Sequence, residues 1–423
     1  MKTKYDLIVV GGGFAGSFAA IEAARHGADV LLIEKYNCLS GAAAYALVSP
    51  FMGFRTKMDN GEMKNLAGDL FLEILNESKE ISGEPVPPKV ASIGLFDEEA
   101  MKTALLRRAV KCGVNLLFNT TVTSANVEGG VIKSVTAVCK AVEMEFTADS
   151  FIDATGDGEL SALCGCVIEQ GRQEDGLCQP MTLCFRVGGV DKEKYIKIKP
   201  EINKIYKEWQ NAGKIKNPRE NVLCFHNYND GVIHFNTTRV VMKNPTNPFE
   251  LTEAEIEARE QVYEMMNFLR TAIEGFENAR LLSTALQIGI RESRRVIGEY
   301  VLCEEDLLSL SRFDDAVAVS NYAIDIHNPN GTGTVWREFG DGEWYEIPYR
   351  CLVPLGMNNL LVAGRCISST HEAQASYRIM PFCAEIGQAA GCAAAVAKKN
   401  GTSVRAVDVH EVRGILREEG FVI

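Results

Sequence analysis

The chain has 423 residues, a formal net charge of −12, 46% hydrophobic residues and 24% charged residues. A single core stops growing at about 250–300 residues, so this length predicts two domains or one domain with large insertions. The composition excludes a disordered chain, and the acidic balance without a basic stripe excludes a nucleic-acid-binding body.

The 13 cysteines are scattered, odd in number and never spaced C-x-x-C. This usage predicts reduced thiols in a cytoplasmic protein rather than a disulfide framework. The apolar stretch at the N-terminus is too short for a signal sequence, and the run IGQAAGCAAAVAKK is short and made of small residues. No membrane span is therefore expected.

Residues 6–34 have the pattern of a βαβ unit: a buried strand, a helix and a second buried strand. Between the first strand and the helix, Gly11, Gly13 and Gly16 fit G-x-G-x-x-G. In such a unit the first glycine permits a tight turn, the second lets the backbone approach a pyrophosphate, and the third packs the helix on the strand. Glu34 ends the second strand, where a carboxylate can accept hydrogen bonds from ribose hydroxyls. The unit predicts a dinucleotide site.

Two later segments bear on whether the dinucleotide is NAD or FAD. SFIDATGDGE (150–159) is a strand that runs into a glycine turn, and NNLLVAGRCIS is another apolar strand that breaks at Gly364. Strands that end in glycine turns at the carboxyl edge of a parallel sheet are where extended cofactors lie. Three such segments, spread over nearly the whole chain, favour FAD.

These segments, with RESRRVIGEY and YEIPYRCLVP, resemble bacterial FAD-dependent oxidoreductases of the glutathione-reductase-like fold, distantly similar to fumarate reductase and succinate dehydrogenase flavoproteins. The resemblance covers roughly residues 4–420. It implies an α/β fold in which a Rossmann FAD-binding domain, with a parallel sheet and a β-meander, carries an inserted α+β substrate-cap domain. The expected parts are 1–160 for FAD, with an insertion at 44–95, then 161–345 for the cap and 346–423 for FAD again.

The resemblance also implies how FAD is held. Gly41 and Ala42 match a small-residue stretch under the diphosphate, although Ser40 replaces its usual first glycine, and the backbone near Val122 lies beside the adenine. The start of the helix around Met380 and Pro381 is expected to supply N–H groups to the flavin. The full set of expected FAD-binding residues is Gly11, Gly13, Phe14, Ala15, Gly16, Glu34, Lys35, Gly41, Ala42, Val122, Ala154, Thr155, Gly156, Asp157, Gly364, Arg365, Met380 and Pro381.

Local signals predict several further elements. Asp97 is placed to cap a helix, and residues 115–156 alternate like three antiparallel strands, with one turn at Gly129-Gly130. The charged segment 251–273 is typical of a long helix, and Thr252 with Glu255 fits a capping box at its start.

Two histidines and one arginine are candidates for the chemistry. His327, beside Asp325, could shuttle a proton near neutral pH. His371 and Arg378 lie between two expected flavin-contacting segments, and Arg378 could bind either flavin or substrate. Each histidine could equally be structural. No third metal ligand accompanies either one, so no metal is expected.

The segment QIGIRESRRVIGEYVL supplies three more arginines. Residues four apart share a face in both a helix and a strand, so Arg291 and Arg295 are expected to form an anion clamp. Arg294 would then lie with Glu292 and pair with it. Internal pairing of all three arginines is the alternative, because an unpaired buried guanidinium is costly.

The resemblance implies an enzyme that binds FAD non-covalently and moves a hydride between flavin N5 and a small polar or anionic substrate. Only one dinucleotide motif is present, so oxygen, a quinone or another redox protein is the expected external electron partner. A flavin monooxygenase and an idle FAD-binding module are the alternatives. A homo-oligomer is possible.

Overall fold

A computed structural model of the protein describes residues 2–83, 94–227 and 229–423, so part of the insertion expected at 44–95 lies outside the described residues. The helices are α1 (Phe14–Arg25), α2 (Ala42–Tyr45), α3 (Asp69–Ser82), α4 (Glu98–Lys111), α5 (Glu159–Leu163), α6 (Lys192–Ile198), α7 (Ile202–Asn211), α8 (Pro248–Ala272), α9 (Glu304–Leu308), α10 (His371–Tyr377), α11 (Met380–Asn400) and α12 (Val409–Glu418). The strands are β1 (Lys4–Val10), β2 (Val30–Ile33), β3 (Arg55–Lys57), β4 (Met63–Asn65), β5 (Asn115–Leu117), β6 (Thr121–Glu128), β7 (Val131–Cys139), β8 (Val142–Asp153), β9 (Ile168–Gln170), β10 (Phe185–Gly188), β11 (Cys224–His226), β12 (Ile233–Phe235), β13 (Arg280–Thr284), β14 (Arg294–Val296), β15 (Ala316–Ser320), β16 (Ile324–His327), β17 (Thr334–Arg337), β18 (Tyr345–Pro348) and β19 (Leu360–Val362).

The largest sheet has seven strands in the order β5-β2-β1-β8-β7-β6, and β19 pairs with β8. Strand β8 serves two parts of this sheet. Its first half is antiparallel to β7, from Val142 to Phe146, and its second half is parallel to β1, from Thr147 to Asp153. One strand therefore joins the β-meander to the parallel sheet. The meander predicted at 115–156 is confirmed, although its first segment, β5, pairs with β2 instead.

Small residues allow α1 and α11 to pack closely on one face of this sheet. A Cβ added to Gly387 of α11 would lie 2.0 Å from the Ala15 carbonyl oxygen, and one added to Gly391 would lie 2.2 Å from that of Ala19. By length and composition α11 could cross a membrane, but 94% of its apolar window is buried inside the protein. It is a core helix of this fold.

A second hydrophobic core, formed by residues between 181 and 288, lies between α8 and the sheet β11-β12-β10-β13. The capping box predicted at Thr252 is wrong, because α8 begins earlier. Asn247 caps it by accepting the N–H groups of Phe249 and Glu250, and Pro248 occupies the first turn, as suits its missing N–H. The Asp97 cap of α4 is confirmed.

All 13 cysteines are free thiols, six of them buried and the others half-buried. The free thiols agree with the sequence expectation. No disulfide therefore links distant segments of the chain, and packing and hydrogen bonds hold the fold.

Candidate active site

A cavity of about 1500 Å³, including its open mouth, lies where β1, β2, β8 and β19 end. The residues that follow these strands line it: Gly11, Gly13, Phe14, Ala15, Glu34, Lys35, Tyr36, Ala154, Thr155, Gly156, Gly364 and Arg365. Val122, Ser40, Gly41 and Ala42 line it as well. The carboxyl edge of a parallel sheet is where such folds bind extended cofactors. Most of the expected FAD-binding residues thus meet in one cavity.

The glycines of the first loop allow backbone segments to approach closely, because they have no side chain at these points. Gly11 has a φ of +101°, and a Cβ there would lie 2.5 Å from the Ala154 carbonyl oxygen. A Cβ on Gly16 would lie 1.8 Å from the Gly11 carbonyl oxygen, so this glycine packs α1 onto the turn, as predicted. Gly16 itself is not among the cavity-lining residues.

Glu34 is held by backbone N–H groups at the end of β2. Its carboxylate accepts hydrogen bonds from the N–H of Gly12 and, at 2.8 Å, from that of Tyr36. Burial raises the pKa of Glu34, and these two hydrogen bonds oppose that effect. Lys35 forms an ion pair with Glu159 at 2.9 Å, so its charge is already balanced within the protein.

An aromatic pair that the sequence analysis missed lies at the same end of the cavity. The rings of Tyr36 and Tyr45 are 4.6 Å apart, and both residues line the cavity. The only signal in the sequence is that Tyr36 follows the acid that ends β2. An aromatic surface here suits stacking against a planar group.

Asp157 does not line the cavity but fixes a residue that does. Its carboxylate accepts hydrogen bonds at 2.6 Å from both Arg365 Nη2 and Ser293 Oγ. Despite burial, the charges of Arg365 and Lys35 lower the pKa of Asp157. Asp157 is therefore an anionic partner that orients Arg365, and its direct contact with the cofactor stays a prediction.

At the start of α11, Ile379, Met380 and Cys383 line the cavity, but Pro381 does not. Pro381 has no backbone N–H, so it cannot be one of the expected donors. The helix has 21 residues and points its N-terminal, positive end toward the cavity. Met380 therefore lies at the cavity, whereas the cofactor contact of Pro381 stays a prediction.

Arg291 lies at a polar part of the cavity together with Thr182, Cys184 and Asn236. Its Nη1 donates to the Pro180 carbonyl oxygen at 2.7 Å and to Thr182 Oγ1 at 2.6 Å, and its Nη2 to Asn236 Oδ1 at 3.4 Å. No carboxylate pairs with Arg291 in the part of the chain that the structure describes. Burial, then the charges of Arg219 and Arg378, lower the pKa of Arg291 to about 9, so it stays protonated at neutral pH.

Arg378 also lines the cavity. Its Nη2 donates to the backbone oxygen of Asp325 at 3.2 Å and lies 3.4 Å from its Oδ2. Its Nε has no hydrogen-bond partner among the described residues. Arg378 therefore keeps a free donor next to the cavity.

Neither candidate histidine lines the cavity. His327 is buried between Arg239, 2.9 Å from its Nδ1, and Asp325, 3.4 Å from its Nε2. Burial, then the charge of Arg291, lower the pKa of His327 to about 3. His327 is thus enclosed by protein groups instead of facing the cavity, and its role as a proton shuttle stays a prediction. His371 is buried against Glu292, with 2.9 Å between Nδ1 and Oε1.

The structure does not bring Arg291 and Arg295 together at the cavity as the predicted clamp requires. Arg295 is buried, and it pairs with Glu292 and donates to the carbonyl oxygens of Ser369 and Gly171. The physical reason is that β14 begins only at Arg294, so a strand's alternation does not reach back to Arg291. Arg295, not Arg294, is the partner of Glu292.

The family model described as FAD dependent oxidoreductase matches residues 6–416. The chain belongs to this family. The protein is therefore an enzyme, and FAD is its cofactor. Two features of the cavity fit FAD: the Gly11 and Gly41 positions leave no room for side chains beside the loop, and the buried Ser40 hydroxyl lacks a partner among the described residues.

Curated relatives match only parts of this oxidoreductase. It is 32% identical over 168 residues to the digeranylgeranylglycerophospholipid reductase of Methanocella arvoryzae, which covers 37% of this chain and 40% of that protein. It is 56% identical over 42 residues to the vinyl phenol reductase of Lactiplantibacillus plantarum, covering 10% of this chain and 8% of that one. The chain therefore spans less than half the length of either relative.

Solved structures match over nearly the whole chain at low identity. A geranylgeranyl bacteriochlorophyll reductase-like protein from Thermoplasma acidophilum has 13% identity and a TM-score of 0.49, covering 98% of this chain and 84% of that one. The flavin-dependent brominase Bmp2 has 14% identity and a TM-score of 0.49, covering 98% and 83%.

Proposed function

We propose that this FAD-dependent enzyme transfers a hydride between flavin N5 and a small anionic organic substrate bound at Arg291 and Arg378. FAD supplies the hydride-carrying ring when bound. The observation that carries the proposal is Arg291, a guanidinium that lines the cofactor cavity without a carboxylate partner among the described residues. A carboxylate or phosphate is the group that a guanidinium binds best, through two parallel hydrogen bonds.

The contacts of Arg291 favour a preformed anion site. Thr182 and Asn236 accept hydrogen bonds from its two terminal nitrogens and fix the plane of the guanidinium. A substrate anion would therefore meet a donor that needs little ordering, which reduces the entropy lost on binding. A buried charge without a counter-charge destabilises a protein by about 3–5 kcal/mol in comparable sites.

Asp325 is the expected positioning residue for Arg378. It accepts from Arg378 and from the hydroxyl of Tyr322 at 3.3 Å. Despite burial, a hydrogen bond with His327 and the charges of Arg378 and Arg291 hold the pKa of Asp325 well below its usual range. Asp325 therefore stays ionised and can keep the guanidinium of Arg378 at the cavity. Proton exchange is assigned to water in the open cavity, since no histidine lines it in the described ranges.

The domain division expected from the sequence is part of the proposal. Residues 1–160 and 346–423 would form the FAD-binding part, of glutathione-reductase-like type, and 161–345 the cap that carries Arg291. The second core between residues 181 and 288 supports a separate cap.

A single dinucleotide motif supports an external electron partner, namely oxygen, a quinone or a redox protein. The names of the two partial relatives, both reductases, support reduction as one direction. The free thiols support the cytoplasm as its location.

Anaerobic bleaching of the flavin tests this proposal. The purified holoprotein is mixed with a panel of carboxylates, phosphate esters, amino acids and neutral sugars, and flavin absorbance is followed. The expected result is bleaching by an anionic donor. Bleaching by NADPH, with peroxide release in air, would instead make the enzyme a monooxygenase, and no bleaching by any donor would favour an idle FAD-binding module.

A further inference from the structure

Three apolar side chains from one short segment line the cavity. They are Val48, Pro50 and Met52, alternate residues of the chain, and we call them the apolar strip. Phe51, between two of them, turns into the core instead. It is fully buried, and its ring stacks on that of Phe96 with 4.0 Å between the ring centroids. The segment is therefore anchored on one side and presents apolar surface to the cavity on the other.

Backbone hydrogen bonds also hold the apolar strip in place. Phe51 and Gly94 exchange two N–H to carbonyl hydrogen bonds, each of 2.9 Å. Just before the strip, the carbonyl oxygen of Tyr45 accepts from the N–H of Gln287 at 3.2 Å. This part of the wall is thus formed by the protein's own contacts.

One end of the apolar strip lies beside the segment that carries Arg291. A Cβ added to Gly289 would lie 4.0 Å from Cγ2 of Val48 and 3.1 Å from the carbonyl oxygen of Thr182. Thr182 also accepts a hydrogen bond from Arg291 through its hydroxyl. Val48 is therefore a close neighbour of the residues that hold Arg291.

The other end lies beside the residues that hold Arg378. A Cβ added to Gly53, the residue after the strip, would lie 3.8 Å from Cδ2 of Tyr322. The hydroxyl of Tyr322 donates to Asp325, which also accepts from Arg378. The apolar strip thus runs from the surroundings of one cavity arginine to those of the other.

Further apolar side chains flank the two arginines in the chain. Ile290 directly precedes Arg291 and Ile379 directly follows Arg378, and both isoleucines line the cavity. Like Val48 and Met52 they are only half-buried. Apolar surface that water contacts in a cavity favours binding of a ligand that covers it.

The polar side chains beside Arg291 are already used within the protein. The hydroxyl of Thr182 accepts from Arg291 and donates to the carbonyl oxygen of Thr238 at 2.9 Å. Oδ1 of Asn236 accepts from Arg291 at 3.4 Å. A ligand rich in hydroxyl groups would need new hydrogen-bond partners to replace water, because burying an unpaired hydroxyl is costly. These contacts favour a ligand that is polar only at its anionic group.

Resting on the proposed function, we propose that the substrate is an anion with an apolar body, such as an alkyl or aromatic carboxylate or phosphate monoester, rather than a sugar acid. Its anionic group binds Arg291 and Arg378. Its body lies on the apolar strip, which spans the distance between the surroundings of these two arginines.

The flavin ring is the other apolar group that could cover the strip. The two possibilities differ in one measurable respect, the dependence of ligand affinity on the length of the apolar body. A strip that is covered by flavin leaves this affinity independent of chain length, whereas a free strip makes it rise with each methylene that is buried.

Isothermal titration calorimetry of the oxidised holoprotein tests the inference. Acetate, butyrate and hexanoate form one series, and methyl, butyl and hexyl phosphate form the other. In at least one series we expect affinity to rise about twofold to fourfold per methylene, with a more negative heat-capacity change for longer chains. The series that shows the trend identifies the anionic group.

Gluconate is the matched ligand for hexanoate, since it has the same charge and number of carbon atoms but a hydroxylated body. We expect hexanoate to bind at least about tenfold more tightly if the carboxylate series shows the trend, and hexyl phosphate to exceed glucose 6-phosphate likewise if the phosphate series does. Affinity that does not change along either series, equal or tighter binding of the hydroxylated match, or no binding of either series would overturn the inference.

The variant Val48→Thr replaces one methyl group by a hydroxyl with little change of shape. It should keep its flavin and flatten the dependence of affinity on chain length. Val142→Thr, at the start of β8 with 60% of the valine exposed, is the matched control and should keep the wild-type dependence. A wild-type dependence in Val48→Thr would overturn the role of the strip. If that variant does not fold, Met52→Gln and the wild-type series decide.

The bleaching assay separates this inference from the proposed function. Bleaching by an anionic donor together with affinities that ignore chain length would overturn the apolar body and leave hydride transfer standing. Tighter binding of longer chains without bleaching by any donor would support the apolar body and count against hydride transfer.

Discussion

The carboxylate of Glu292 forms a buried ion pair with the guanidinium of Arg295, three residues later in the chain. The same carboxylate accepts hydrogen bonds from the N–H of Gln179 at 2.9 Å and from His371. Three segments that are distant in sequence are thus joined directly beside Arg291. This network holds the segment that carries Arg291 rather than facing the cavity itself.

Replacing Glu292 by Gln should lower the free energy of unfolding by about 3 kcal/mol or more, because it leaves the buried charge of Arg295 unpaired. Urea unfolding of the holoprotein measures the change. Glu260→Gln, on the exposed side of α8, should have little effect. Equal decreases in the free energy of unfolding of the two variants would contradict a buried ion pair between Glu292 and Arg295.

Replacing Arg291 by Gln should leave the flavin content unchanged and weaken the binding of anionic donors about 10–100-fold. The reason is the loss of hydrogen bonds to a charged group, which contribute about 1.5–3 kcal/mol. The measurement is the donor concentration that gives half-maximal rate of anaerobic bleaching. Loss of flavin from this variant would instead make Arg291 a structural or cofactor-binding residue.

Gly387→Ala should strongly destabilise the fold, because its Cβ would meet the backbone of α1 at 2.0 Å. Gly414→Ala, in α12, has open space around its Cβ and should raise the free energy of unfolding by about 0.5–1 kcal/mol through helix propensity. Thermal unfolding of both variants checks this. Similar melting temperatures would mean that the two helices are not in such close contact.

His26 should make stability depend on pH at the surface where α1 ends. Hydrogen bonds to Glu22 and Glu419 raise its pKa to about 9, from the ordinary value of about 6.5. Its protonated form therefore stabilises the fold fully below pH 6.5, and that stabilisation is lost as the pH rises through about 9. The difference in melting temperature between wild type and His26→Gln should shrink accordingly, and a difference that stays constant over this pH range would contradict the role of His26.

The cofactor half of the fold was predictable because its signals are local. The G-x-G-x-x-G pattern is contained within six residues, where Gly16 packs against the Gly11 carbonyl oxygen, and Asp97 caps its own helix. The meander was visible because each strand pairs with its neighbour in sequence. One local signal still failed, since Asn247 and Pro248 start α8 before the capping box at Thr252.

The surroundings of Arg291 and His371 could not be predicted because their contacts are distant in sequence. Arg291 is oriented by Thr182, 109 positions earlier, and by Asn236, 55 positions earlier. His371 is buried against Glu292, 79 positions away, so its nearness to flavin-contacting segments in sequence did not bring it to the cavity. Pairing of this kind depends on packing, and no periodicity in a single sequence records it.

The most direct measurement for hydride transfer to FAD is the rate of anaerobic flavin bleaching by the best anionic donor, with hydrogen or deuterium on the reacting carbon. We expect that the holoprotein is bleached, that deuterium slows the bleaching, and that Arg291→Gln requires a much higher donor concentration. A holoprotein that keeps its yellow colour with every donor, or bleaching at a rate that deuterium and Arg291 do not affect, would contradict it.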